Sequence, residues 1–170
     1  MDTERNRRTT AIGLARYAKE YLEAAIVVDR EMGRGEAYAR TSPVPAYFLL
    51  THGIELTLKA YLRHAGHSVE QLGARDLGHN LDGLLAKARE LGLDTLFQFT
   101  EADTSAFELL VAVNEYHQLR YIKTGLKTFP SWGIAEPLAV RLHQAVAPRV
   151  GYESLPVSYL MQDAKEVAEG

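Results

Sequence analysis

The sequence predicts an all-α fold, an antiparallel up-and-down helical bundle of four to five helices. Apolar residues recur at three- and four-residue spacing in successive segments. No segment shows the strict alternation or the β-branched runs that strands need, and no internal repeat is present. Connections are short and punctuated by Gly and Pro, which suits antiparallel neighbours. A chain of 170 residues is long enough for one hydrophobic core and short for two. Residues 1–150 are therefore expected to form the bundle, and residues 151–170 a tail or short helix of the same domain.

Residues 10–32 read as the first helix, because Ala15, Ala18, Leu22, Ala25 and Ile26 share a face that Arg16, Lys19, Glu20 and Glu23 mostly avoid. Gly33 and Gly35 end it. Thr41-Ser42-Pro43 places a Ser N-cap ahead of a Pro in the first turn and predicts a second helix over residues 43–65, ended by Gly66. Asn80 caps a third helix whose stripe is Leu81, Leu84, Leu85 and Ala88, and Gly92 stops it. Thr100 followed by Asp103 resembles a capping box and opens a fourth helix that runs through Ile122. Residues 123–134 hold Gly125, Pro130 and Gly133 and read as a loop, with Phe129, Pro130 and Trp132 as its anchor. Residues 136–147 form a fifth helix closed by Pro148.

With 46% hydrophobic and 24% charged residues, the composition is that of a globular chain. A net charge of -3 and a pI near 6.1 exclude a protein that coats nucleic acid nonspecifically, while leaving room for a local basic site. Having no cysteine excludes disulfides, thiolate metal centres and a Cys nucleophile. Residues 1–20 carry charges throughout, and no later run of about 18 apolar residues suggests a membrane span, so a cytoplasmic protein without membrane contact is expected. No metal or cofactor is expected either. A carboxylate di-metal site wants Glu-x-x-His on two helices, and only the reversed His52-x-x-Glu55 is present. His64 and His67 fall at a helix end with no carboxylate beside them and read as surface residues, and His79 reads as a local packing residue at the entrance of the third helix.

Two helices carry the chemical information. Residues 43–65 are apolar almost all the way round, which suits the centre of a bundle, and leave a stripe of His52, Glu55, Lys59 and Arg63 within a band of about 80°. That stripe is either a solvated seam supported by the Glu55–Lys59 pair or a polar site at a helix junction. In the fourth helix Ala106, Leu109, Val113 and Tyr116 form the core-facing stripe, with Glu108, Asn114, Glu115 and Gln118 opposite. Arg120 continues the apolar stripe with His117 beside it. An inward guanidinium must be paired or reach water, so a Glu55–Arg120 contact with His52 and His117 nearby is expected, unless Arg120 snorkels into solvent at the helix end. The following loop holds Lys123, Lys127, Thr124, Thr128 and Gly125 without an acid, which makes it a candidate phosphate cradle beside Tyr121.

Three segments resemble a known family. The run His52-Gly53-Ile54-Glu55-Leu56-Thr57-Leu58-Lys59-Ala60-Tyr61-Leu62 resembles the second helix of HEPN domains, with its E-x-x-x-K-A-x-L pattern. Gly78-His79-Asn80-Leu81-Asp82-Gly83-Leu84-Leu85 looks like that family's G/T-H-D/N-L-x-x-L-L helix start, and Tyr116 to Tyr121 is similar to its Y-x-x-x-R-Y segment. Order and approximate spacing agree over roughly residues 45–125. The resemblance implies a small helical bundle, commonly a homodimer, of the kind found in toxin–antitoxin pairs, defence systems and RNA processing. Nuclease-active members carry Arg followed after four to six residues by His. Here Arg120 is followed by Tyr121, Ile122, Lys123, Thr124, Gly125, Leu126 and Lys127, with no histidine in the window. Metal-independent RNA cleavage needs an acid and a base near neutral pH, a role suited to histidine. The expected function is therefore non-catalytic binding of a nucleotide or RNA phosphate in a toxin–antitoxin or defence-type system. Arg120, Lys123, Lys127, Tyr121, Glu55, Lys59 and His52 form the expected site. The alternatives are a metal-independent endoribonuclease toxin using Arg120 and His117, and a dimeric interaction module for a neighbouring nucleotidyltransferase-like protein.

Overall fold

The computed structural model describes residue 4, residues 7–114 and residues 127–153, and over them the chain is an all-α bundle with no strand. Helix α1 (Ala11–Met32) starts at Thr10, whose hydroxyl accepts from Gly13 N at 3.0 Å, and buries Ala15, Ala18, Leu22, Ala25 and Ile26, the face its spacing predicts. Helix α2 (Val44–His64) lies against it. The approach is close enough that a Cβ on Gly53 would stand 2.6 Å from Leu22 Cδ2.

The predicted Ser42 cap is not used. Pro43 occupies the N-cap position, no side chain caps the turn, and Ser42 Oγ is buried with no hydrogen-bond partner among the described residues. Pro45 in the first turn has no N–H, so one of the orphan donors that a cap would satisfy is missing. As its apolar circumference predicts, α2 is central and packs on α1, α3, α4 and α6.

Helix α3 (Val69–Gly73) is a short turn that periodicity does not reveal, closed by a reciprocal capping box between Ser68 and Gln71. Helix α4 (Leu81–Glu90) starts at Asn80, whose Oδ1 accepts from Gly83 N at 3.0 Å, and stops before Gly92, which takes a left-handed φ of 91°. Tyr61 of α2 ties this end down by donating to Leu91 O at 2.8 Å. Helix α5 (Glu101–Asn114) opens with the expected Thr100–Asp103 box: Asp103 N donates to Thr100 Oγ1 at 3.1 Å and Thr100 N to Asp103 Oδ2 at 2.9 Å. Its inward face holds Ala106, Phe107, Leu110 and Val113, and Leu109 is only half-buried. The stripe is rotated from the predicted one because α5 packs on both α6 and α4. The predicted continuation to Ile122, with Tyr116, lies outside the described residues.

Helix α6 (Trp132–Arg149) begins four residues before the expected start and runs through Pro148. Trp132 is therefore its first residue and not part of a loop, and it packs edge-on against Tyr47 with ring centroids 5.2 Å apart. Phe129 stacks on the same tyrosine at 4.6 Å, and the Tyr47 hydroxyl donates to Pro130 O at 2.6 Å. The anchor read from Phe129 and Pro130 is thus present, with Tyr47 as the post it is tied to.

His143 of α6 is fully buried, and its Nε2–H donates to Ala15 O at 2.9 Å while Nδ1 has no partner among the described residues. Burial pushes its pKa below the usual 6.5; the Ala15 hydrogen bond opposes this and the Lys19 charge adds to it. The unfolded chain thus takes up this proton more readily than the folded one as pH falls through about 6.5. Stability is expected to fall between pH 7.5 and 5.5, and the drop in urea midpoint should shrink in His143→Gln. An undiminished drop would place the pH sensitivity elsewhere.

Candidate functional site

The polar stripe of α2 is a buried junction and not a solvated seam. Glu55 is 3% exposed, and its Oε1 receives Lys59 Nζ at 2.7 Å and His79 Nδ1 at 3.1 Å. His52 Nδ1 lies 3.7 Å from Oε2, held between the Tyr21 ring at 4.4 Å and the parallel Phe48 ring at 6.4 Å. Arg63, one turn beyond Lys59, is turned away from Glu55 and donates to Thr9 O at 2.9 Å and His67 O at 2.8 Å.

Burial alone would push the Glu55 carboxyl up, but contact with His52 and the charge and hydrogen bond of Lys59 outweigh it and hold the group at about 2. Glu55 is therefore ionised and can only accept, so the proton on His79 Nδ1 belongs to the bond between them. A carboxylate behind Nδ1 sets the imidazole tautomer. The side chain of His79 is 42% exposed. It joins a buried negative charge to the surface.

Two bonds hold the loop that carries His79. Lys59 Nζ donates to Gly78 O, and Asn114 Nδ2 of α5 donates to His79 O at 3.1 Å. The same loop closes on the first turn of α4 so tightly that a Cβ on Gly83 would meet Asp76 O at 2.2 Å. Between this loop, the start of α4 and the end of α5 lies a cleft of about 710 Å³ whose walls include Arg75, His79, Asn80, Asp82, Val111 and Asn114. Cavities of roughly 300–1,000 Å³ suit small ligands. Arg75 is exposed and makes no ion pair with the described residues.

Of the predicted site, His52, Glu55 and Lys59 come together, and the expected proximity of His52 to Glu55 holds. The described partners of Glu55 are Lys59, His79 and His52; the expected partner Arg120, with His117, Tyr121 and Lys123, lies outside the described residues. Lys127 is half-buried beside the Phe129 anchor. His79, read from the sequence as a packing residue, is instead part of the charged junction, and Arg75 went unnoticed. The G-H-N-L motif was the one signal pointing to His79. Nothing in the local sequence distinguishes Arg75 from any exposed arginine.

Among the described residues, no group of three or more His, Asp or Glu side chains is placed to hold a metal ion, and no helix is long and apolar enough to cross a membrane. No family model, curated protein or solved structure matches the chain.

Proposed function

We propose that this chain is a HEPN-like cytoplasmic protein that binds a nucleotide or an RNA phosphate without cleaving it, as a homodimeric member of a toxin–antitoxin or defence-type system. The observation that supports this reading is the way the buried Glu55–Lys59 pair reaches, through His79, into a cleft that also carries Arg75. A guanidinium is a donor suited to phosphate oxygens. Arg120, Lys123 and Lys127 would add positive charge for a longer strand.

The test is a thermal-shift screen of nucleotides and short RNAs with the parent, Arg75→Ala and Arg120→Ala, each checked for folding by circular dichroism. A ligand at a hundred times its Kd is expected to raise Tm by about 5–10 °C, from a stabilisation of about 2.7 kcal/mol. Both variants should lose most of that shift. Variants that respond like the parent would remove the proposed site, and a parent that responds to nothing would favour the module that binds a nucleotidyltransferase-like partner.

One observation favours the endoribonuclease reading as well. The sequence assigns its histidine to His117, but the Glu55-backed His79 is the imidazole that the described geometry prepares for proton transfer. Incubation of the protein with structured and unstructured RNA in EDTA separates the two readings. Cleavage that disappears in His79→Ala would make the protein an enzyme.

A further inference from the structure

We propose that the outward face of α1 is a docking surface for a segment of this same chain, residues 154–170, held there as an amphipathic helix. Ile12, Tyr17 and Val27 are large apolar side chains of α1, each about half exposed. At 100° per residue they fall within an arc of about 140°, together with the small residues Gly13 and Ala24 and the exposed Arg16–Glu20 ion pair. The opposite arc buries Ala15, Ala18, Leu22, Ala25 and Ile26 on the side that meets α2 and α6. The outward face is thus a second, weaker apolar strip on a helix that already has a core-facing one.

Residues 154–170 lie outside the described residues, and their sequence has the pattern that such a face requires. Wound as an α-helix, Val157, Leu160, Met161, Ala164, Val167 and Ala168 share an arc of about 120°. The remaining arc takes Ser158, Gln162, Asp163, Lys165, Glu166 and Glu169, with Tyr159 as the one large apolar exception. A helix this short is marginal in water and depends on tertiary burial of its apolar side. The lengths agree as well: residues 157–169 would measure about 20 Å as a helix, and α1 rises about 22 Å from Ile12 to Val27.

The described chain delivers this segment to that face. Helix α6 ends beside the start of α1, where His143 donates to Ala15 O and a Cβ on Gly151 would stand 3.6 Å from Ile12 Cδ1. Gly151 takes a left-handed φ of 87°, and Tyr152 N donates back to Ala147 O at 2.8 Å, so the turn that closes α6 is fixed against the first turn of α1. A helix that follows this turn and doubles back runs beside α1 and extends the up-and-down order of the bundle. Tethering decides the occupant. A short link holds the segment at an effective concentration on the order of millimolar, which exceeds that of a second copy or a free partner at micromolar concentration. A homodimer would then use a face other than this one. The docking surface is separate from the cleft at residues 73–82 and does not depend on what the cleft binds.

The chain has no cysteine, so a single introduced thiol reports on one position. Tyr17→Cys and Val27→Cys are each made in the whole chain, with and without the pair Leu160→Asp and Val167→Asp, and their maleimide labelling rates are measured. Leu91→Cys, at the exposed C-cap of α4, is the reference. Docking with a dissociation constant of about 0.1 mM, set against a millimolar effective concentration, is expected to slow labelling of both α1 thiols about tenfold relative to the reference. The two aspartates should restore the fast rate and leave the Leu91→Cys rate unchanged. Equal rates with and without the aspartates overturn the proposal. Protection that survives the aspartates and grows with protein concentration also overturns it and assigns the face to a second copy.

Discussion

Replacing Glu55 with alanine is expected to destabilise the folded chain by about 3–5 kcal/mol, the cost of removing one partner from a buried ion pair. The loss is large because of what stays behind. Lys59, its side chain 13% exposed, would keep a buried ammonium with the Gly78 carbonyl as its described partner, and His79 would lose the acceptor at Nδ1. Urea denaturation at pH 7 measures the effect, and a loss below about 1 kcal/mol, the level of a surface pair, would show that the junction is not a stabilising centre. Replacing both members together, as Glu55→Leu with Lys59→Met, should cost far less than Glu55→Ala, because an apolar pair leaves no charge to solvate.

The same residue sets an acid limit. The folded Glu55 carboxyl sits at about 2 and the ordinary one at 4.5, so its contribution is complete above pH 4.5 and disappears as pH falls toward 2. The difference between the parent and Glu55→Gln should therefore narrow over that interval. The His143 effect sets in at higher pH, as pH falls through about 6.5.

Tyr47→Ala is expected to cost a similar amount, about 3–5 kcal/mol, by emptying the space of a fully buried aromatic side chain. It would also release the contacts with Phe129, Pro130 and Trp132 that fasten residues 127–132 to α2. Tyr47→Phe keeps the ring and removes the hydroxyl, so it should cost about 1 kcal/mol for the lost bond to Pro130 O. Trp132 is the one tryptophan in the chain, and it packs on Tyr47. Its emission reports directly, with a red shift expected in Tyr47→Ala and little change in Tyr47→Phe. Burial, opposed by Ser42 and aided by Asp29, pushes the Tyr47 hydroxyl up to about 12 from 10, so it stays protonated at every pH where the chain is folded near neutrality. Its contribution is complete below pH 10 and is lost as pH rises from 10 toward 12.

The all-α class, the extent of α1, the caps at Asn80 and Thr100 and the central place of α2 were determined by the sequence itself. Each rests on residues within a few positions of one another: the periodic alanines of α1, the Asn80 oxygen three residues from Gly83 N, the nearly continuous apolar surface of α2. The alignment of His52, Glu55 and Lys59 was equally readable, because 3.6 residues per turn places them on one edge whatever the rest of the chain does.

Tertiary structure decided the rest. Trp132 is placed at the start of α6 by its ring packing on Tyr47 and by its backbone N–H donating to Arg40 O at 3.0 Å, and no local pattern encodes either contact. The inward face of α5 turned toward Phe107 and Leu110 because two helices compete for it. Most of all, Glu55 found His79, 24 residues further on, through a loop positioned by Gly83, Lys59 and Asn114. A buried carboxylate must be compensated, and the sequence shows that need as soon as Glu55 is placed on an apolar helix. Which cation meets it depends on how separate helices pack, and that is a property of the whole fold.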